Sequence, residues 1–175
     1  GTASVEFEYL TGFSTVFQPP HTVAYQLYAE EGMPSLAALA GSVGYDSTAF
    51  HPYKSSGWNR PIVYEDMRFD HQLYEEDVTD PYLVRRYLSD QSDYEMLYSI
   101  TDREEGDPAF IFNVTMQNHS SYAQGWNNLE KTVTLSTEQR TADTTAEQYL
   151  ALMRASDDAL RDLITHYERS SEPTM

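Results

Sequence analysis

Ala109-Phe110-Ile111-Phe112-Asn113-Val114-Thr115-Met116 is the stretch on which the fold class turns. Its apolar, aromatic and β-branched residues run on without the polar alternation of a half-exposed strand. That pattern suits a strand buried on both faces, as in a parallel sheet covered by helices. Working upstream, Asp90 to Glu105 carries Tyr94, Leu97, Tyr98 and Ile100 at helical spacing. Further upstream, Pro34 to Val43 reads as a helix with proline near its start and Gly44 as its stop, followed by a strand at Ser47 to His51. Downstream, Tyr122 to Arg140 is polar and aromatic without a firm period and reads as a loop. Thr145 to Tyr167 then places Tyr149, Leu152, Met153, Leu160, Leu163, Ile164 and Tyr167 at three- and four-residue spacing, with Asp157, Asp158, Arg161 and Asp162 on the other face, which predicts the longest helix. Helical periodicity alternating with short apolar runs is the signature of an α/β layer fold.

The 175 residues, 40% of them apolar, suffice for one domain spanning 1–175. A domain of this size buries roughly 70% of its unfolded surface. Fourteen tyrosines, seven phenylalanines and two tryptophans supply a packed core despite the polar average. The formal charge of −17 argues against nucleic acid, which is held through clustered Lys and Arg, and is most simply a solvated acidic surface. The chain has no cysteine, which removes disulfides, thiolate zinc sites and thiol catalysis. No stretch approaches the ~20 apolar residues of a membrane span.

Polar clusters stand at the chain start and just past the two predicted strands, and ligands of α/β sheets collect at the carboxyl ends of strands. The first is Gly1-Thr2-Ala3-Ser4-Val5-Glu6-Phe7-Glu8, with a helix predicted over Ala3 to Leu10. A hydroxyl beside the unpaired N–H groups of a helix start suits an oxygen nucleophile that must hold a phosphoryl group, and equally suits an ordinary N-cap. The second is His51-Pro52-Tyr53-Lys54-Ser55-Ser56-Gly57-Trp58-Asn59-Arg60. Its imidazole, indole and guanidinium make a headgroup pocket, or a loop with Trp58 as a core plug and Arg60 in an ion pair. The third is Gln117-Asn118-His119, where a lone histidine is either a ligand contact or a structural strand-end residue.

Taken in order, these segments resemble a known family. Gly1-Thr2-Ala3-Ser4-Val5-Glu6-Phe7-Glu8-Tyr9-Leu10-Thr11-Gly12 is similar to the nucleophile segment of the lipoteichoic-acid-synthase-like phosphoglycerol transferases, in the sulfatase-like branch of the alkaline phosphatase superfamily. Val23 to Tyr28, Met33-Pro34-Ser35-Leu36, His51 through Trp58-Asn59-Arg60, Phe112 to His119 and Ser156-Asp157 resemble its successive landmarks. The resemblance implies a three-layer sandwich around a mostly parallel sheet, incomplete in this chain. It implies Thr2 as catalytic nucleophile, attacking a phosphatidylglycerol-type lipid and releasing diacylglycerol. It places His51, Trp58, Arg60 and His119 around the glycerophosphate, and Tyr53 departs from the polar or acidic residue common at that position.

The resemblance also implies a divalent cation, usually Mn2+, with Thr2 as the one metal contact in this chain. The remaining ligands, a glutamate before the nucleophile and an Asp-His pair after the last helix, are expected outside it. On that basis no metal is expected to stay bound, no turnover is expected of the isolated chain, and Thr2 is expected to be easily displaced. Either self-association through exposed sheet edges or a fold with altered edges is expected too. The parent is expected to be an enzyme on the outer face of a bacterial cytoplasmic membrane, with an envelope glycolipid or polymer as acceptor. The competing readings are a sulfatase or phosphodiesterase of the same superfamily, or a glycan- or headgroup-binding module without chemistry. A formylglycine sulfatase needs Cys or Ser in a Cys/Ser-x-Pro-x-Arg context, and no such segment occurs.

Overall fold

The computed structural model describes residues 1–102, 108–122, 125–136 and 144–175. In chain order the elements are α1 (Thr2–Thr11), α2 (Ala24–Tyr28), α3 (Leu36–Ser42), β1 (Asp46–Phe50), α4 (Arg60–Asp66), β2 (His71–Leu73), β3 (Leu83–Val84), β4 (Tyr87–Leu88), α5 (Asp90–Thr101), β5 (Ala109–Asn113) and α6 (Thr144–Glu168). The class is α/β, as the sequence predicts. The chain divides into two compact units, the first comprising Gly1–Asp77 with Thr101–Val114 and the second Val78–Ile100 with Thr115–Met175.

In the first unit a three-stranded parallel sheet has the order β2-β1-β5. Thr48 stands opposite His71 on one side and Ile111 on the other, and Phe50 opposite Leu73 and Asn113. Parallel neighbours need a crossover, and α4 supplies the one between β1 and β2. Central β1 has Ser47, Thr48, Ala49 and Phe50 all buried, the mark of a strand covered on both faces.

The strand expected over Ala109 to Met116 is shorter and less buried than its sequence suggests. It ends at Asn113, and its residues are half-buried or exposed. The physical reason is position: β5 pairs on one side only among the described residues, so its composition outruns its cover. The Asp90 to Glu105 helix is observed as Asp90–Thr101, and 103–105 lie outside the described residues. No helix or strand occurs in the described part of 122–140.

The core of this unit is a helix layer on the sheet. Ala3, Phe7 and Leu10 of α1 meet Ala24 and Tyr25 of α2, Ala37 of α3, Ala49 of β1 and Val63 and Tyr64 of α4, with Met33, Met67 and Phe69 from the connections. Aromatic edges tie it together: Phe7 to Tyr25 at 6.3 Å, Tyr25 to Tyr64 at 6.5 Å and Tyr64 to Phe69 at 5.4 Å between centroids, all T-shaped. Such pairs add about 0.5–1.5 kcal/mol each beyond area burial. The chain start, expected to be displaced, is therefore a helix with one face in the core. It ends at Gly12, whose φ of 73° lets its N–H reach Glu8 O at 2.8 Å in a left-handed cap.

In the second unit, α5 begins at a Ser89 cap whose Oγ accepts from Ser92 N–H at 3.1 Å. Buried Gln117 joins α5 to α6: its Oε1 accepts from Asp90 N–H at 3.1 Å, and its Nε2 donates to Ser156 Oγ at 3.0 Å and Leu152 O at 3.4 Å. Ser156 Oγ in turn donates to Asp90 Oδ2. Burial pushes the Asp90 carboxyl up, and the Ser156 hydrogen bond partly restrains it.

The expected long helix is present as α6, but the face it buries differs from the expected stripe. Ala151, Leu152 and Ala159 are buried, whereas Tyr149, Met153, Leu160 and Ile164 are 43–51% exposed. Small residues and polar groups that find partners, Gln148 and Glu147 among them, set the contact face here, which hydropathy does not register.

Candidate functional site

Thr2 opens α1. The N-cap is Gly1, whose carbonyl accepts from Ser4 and Val5 N–H at 3.1 and 3.3 Å, and no side chain caps the helix. Thr2 therefore sits in the first turn, exposed, with its hydroxyl uncommitted among the described residues. A helix start concentrates positive potential from its unpaired N–H groups, which favours an anion and an oxygen losing its proton.

Thr2 lies on the rim of a groove of about 510 Å³, lined by Val5, Glu6 and Tyr9 of α1 and by Ile111, Phe112, Asn113 and Val114 at the end of β5. The walls are mainly apolar, with polar groups at Thr2, Glu6 and Asn113. Such a lining orients a polar group at one place and shelters it from water elsewhere.

His51 continues β1 beyond its last strand residue. Its N–H donates to Leu73 O at 3.0 Å, and its Nδ1 lies 2.8 Å from Val114 O. A carbonyl can only accept, so the proton sits on Nδ1 and Nε2 is the acceptor of the neutral ring. His51 is 3% exposed and is thus anchored, through Val114, to the groove wall.

Trp58 and Asn59 follow in a single 3₁₀ turn, Gly57–Asn59, with φ of 57° and 59°. Left-handed backbone is unusual for tryptophan and costs of order 1 kcal/mol or more. Trp58 is also half-exposed, so neither burial nor backbone preference accounts for an indole there.

Arg60 starts α4, with Pro61 behind it in the first turn, where the missing N–H costs nothing. Its guanidinium is buried. Nη2 donates to Glu6 Oε1 at 2.6 Å, Nε to Tyr64 Oη at 3.3 Å and Nη1 to Gly57 O at 3.4 Å. Glu6 Oε2 also accepts from Tyr25 Oη at 2.8 Å and Tyr64 Oη at 3.1 Å. Burial, together with the Glu6 carboxylate, pushes both phenols well above their ordinary range. Burial pulls the Arg60 guanidinium down, but Glu6 and Tyr64 outweigh it and its pKa ends raised. Arg60 is thus in an ion pair, one of the two readings open from sequence, yet the pair is buried and belongs to the groove through Glu6.

Thr2 thus lines the groove of the first unit, whereas His51 and Arg60 stand behind its lining and each bonds to one lining residue, Val114 and Glu6, and Trp58 stands two residues before Arg60 on the strained turn. Glu6 was missed from sequence as a site component. Its signal is present: it lies one helical turn after Thr2, between Val5 and Phe7, where a carboxylate needs a partner.

His119 belongs to the second unit and is exposed. Its Nδ1 lies 2.7 Å from Ser120 O and 3.2 Å from Tyr87 Oη, and its ring packs at 5.5 Å from that of Tyr87. The segment carrying it wraps the buried Arg85. Arg85 Nη2 donates to Gln117 O at 2.6 Å and His119 O at 2.7 Å, and Nη1 to Ser121 O at 3.0 Å. The guanidinium lies 5.4 and 5.2 Å from the ring centres of Tyr87 and Tyr122. Among the described residues no carboxylate pairs with it, and burial lowers its pKa.

For a divalent cation, the residues present do not form a donor set. Among the described residues no group of three or more His, Asp or Glu is placed to hold a metal. One threonine hydroxyl cannot hold a hard cation that takes about six oxygen or nitrogen ligands. No helix of the described residues is long and apolar enough to cross a membrane.

The chain is similar to several known proteins. A protein of Rhizobium meliloti (strain 1021) that carries the name of a cyclic beta-1,2-glucan modification protein is 42% identical over 123 residues, 69% of this chain and 19% of that protein. Among solved structures, the lipoteichoic acid synthase LtaP from Listeria monocytogenes superposes with a TM-score of 0.79 at 19% identity, covering 95% of this chain and 40% of that one. The Streptococcus pyogenes phosphoglycerol transferase GacH, in complex with sn-glycerol-1-phosphate, superposes with 0.74 at 21% identity over 98% and 46%. An alkaline phosphatase superfamily protein from Vibrio parahaemolyticus gives 0.69 at 21% identity over 93% and 38%. The chain thus spans less than half the length of each of these proteins, and its partial parallel sheet matches part of the fold of these solved structures. The model of the Sulfatase family matches residues 1–175, so a threonine at a helix start over the edge of a parallel sheet stands in a chain that belongs to the Sulfatase family.

Proposed function

We propose that this chain is part of a phosphoglycerol transferase that moves glycerophosphate from a phosphatidylglycerol-type lipid to an envelope glycan or glycolipid. The observation that carries the reading is the uncommitted Thr2 hydroxyl at the start of α1, on the rim of a groove tied to His51 and Arg60. In the first step Thr2 Oγ attacks phosphorus, an Oγ–P bond forms, and the P–O bond to diacylglycerol breaks. The proton lost from Oγ balances the one gained by the departing diacylglycerol oxygen. An acceptor hydroxyl then attacks the same phosphorus, and Oγ leaves and recovers a proton. The helix start stabilises the phosphoryl charge. Trp58 offers a half-exposed face to the glycerol, and His51 and Arg60, both buried, act on the glycerophosphate through the groove residues they hold, Val114 and Glu6; a contact from His119 is implied by the family resemblance alone.

Similarity to a protein named for cyclic beta-1,2-glucan modification favours a glycan hydroxyl as acceptor. Manganese, which would lower the hydroxyl's pKa and neutralise the phosphate, would need ligands beyond those the described residues bring together. The outer face of a bacterial cytoplasmic membrane, where such a lipid and such acceptors meet, is the proposed location. A sulfate-ester reading lacks its nucleophile, because no Cys/Ser-x-Pro-x-Arg segment occurs.

The test is release of diacylglycerol from a fluorescent phosphatidylglycerol by the protein as its gene encodes it, with manganese or chelator, beside its Thr2→Ala variant. Metal-dependent release that the variant lacks supports the proposal. Binding of glycerophosphate without release would point instead to a headgroup-binding module.

A further inference from the structure

The ion pair beneath the groove has a geometry that surface charge pairing does not need. Glu6 is 3% and Arg60 2% exposed, and a buried carboxylate and guanidinium must offset a desolvation cost of several kcal/mol per ion. Glu6 meets that cost with one charged and two neutral donors, so both its oxygens are engaged. These contacts connect three separate parts of the chain. Glu6 lies on α1 one turn below Thr2, Tyr25 is on α2, and Tyr64 and Arg60 are on α4. Arg60 also reaches back to Gly57 O, closing the turn that holds Trp58 and Asn59 in left-handed backbone. A strained turn persists only where its surroundings over-determine it; here the Arg60 N–H closes the turn on Gly57 O, and the guanidinium that Glu6 holds adds a second contact to the same carbonyl.

We infer that Glu6 is a positioning residue for the transfer reaction, fixing the Thr2 helix and the Trp58-Asn59-Arg60 turn in one geometry through its carboxylate. This rests on the function proposed above. Glu6 touches no reacting atom in this account. It acts through Arg60 and through the helix that presents the hydroxyl, so its loss degrades the alignment of nucleophile and phosphate, where about 1 Å of misplacement costs on the order of a hundredfold in rate.

Glu6→Gln keeps the shape but replaces one acceptor oxygen by an NH2 facing donors and leaves Arg60 without its counter-charge. In the protein as its gene encodes it, diacylglycerol release by Glu6→Gln is expected to show kcat lowered about 10- to 100-fold per folded molecule, with KM changed less than about threefold. Glu6→Asp, which restores charge with a shorter reach, is expected to recover part of kcat. A purely structural role would lower the melting temperature and the folded fraction while leaving kcat per folded molecule intact, and that result overturns the inference. Where Glu6→Gln does not fold, Tyr64→Phe decides: removing one hydroxyl from the network should lower kcat about 3- to 10-fold, and an unchanged kcat refutes the role. Wild-type protein without release refutes the proposed function itself and takes this inference with it. Release by wild type with an indifferent Glu6→Gln refutes the inference alone.

Discussion

Replacing Arg85 by methionine keeps much of the stem volume and removes the guanidinium around which residues 117–121 are wrapped. Three hydrogen bonds vanish, to Gln117, His119 and Ser121 carbonyls at 2.6, 2.7 and 3.0 Å. Bonds from a charged donor contribute about 1.5–3 kcal/mol each, so the gross loss is about 5–9 kcal/mol. Part is returned, because the variant no longer buries a cation with no carboxylate beside it and with Nε unpartnered among the described residues. A net destabilisation of about 3–5 kcal/mol follows. With a urea slope of about 2 kcal/mol per molar, the unfolding midpoint should fall by about 1.5–2.5 M. Urea titration followed by circular dichroism measures it, and hydrogen exchange should show the amides around 117–121 losing protection first. Arg85→Lys tests the geometry separately from the charge, because one ammonium cannot span three carbonyls as a planar fork does, and it should recover less than half of the loss. A midpoint for Arg85→Met within about 0.5 M of wild type would refute the reasoning.

Further expectations concern other parts of the chain. Asp90 has a raised pKa from burial, so the folded state binds more protons than the unfolded state just above the ordinary carboxylate pKa of about 3.9, and stability falls as pH climbs through that window. Ser156→Ala removes a hydrogen bond that restrains the rise, so urea midpoints should show a loss of about 1–3 kcal/mol at pH 7.5 and a smaller one at pH 4.5. Trp58→Gly removes a half-exposed ring and relieves the left-handed backbone, so its melting temperature should stay within a few degrees while affinity for sn-glycerol phosphate, read by calorimetry, drops. Gly12→Ala places a Cβ at a φ of 73° and should cost about 1 kcal/mol in the same urea assay.

The sequence makes α1, β1 and α6 legible because their apolar spacing is long or their composition uniform. It leaves β2 hidden, since His71-Gln72-Leu73 is too short and polar to stand out. Of the α4 helix only its first residue, Arg60, falls in a segment that the sequence singles out, and Pro61 in its first turn is the signal for the rest. Apolarity over Ala109 to Met116 predicts a strand but not that it pairs on one side only, since a strand's place in its sheet depends on partners far along the chain. Among the candidate site residues, Thr2, His51, Trp58, Arg60 and His119 stand out by residue type and by family resemblance. Glu6 does not, because its partners Tyr25, Arg60 and Tyr64 are 19 to 58 residues away and only folding brings them to it.

Trapping the covalent state tests the central claim most directly. The protein as its gene encodes it, mixed with phosphatidylglycerol in the absence of acceptor, quenched in acid and digested, is read by mass spectrometry for a glycerophosphate adduct. The account predicts the adduct on the peptide that begins α1, on Thr2, and its absence in Thr2→Ala. Diacylglycerol release with the adduct on another residue, or with no adduct in a quench fast enough to catch a single turnover, would contradict it.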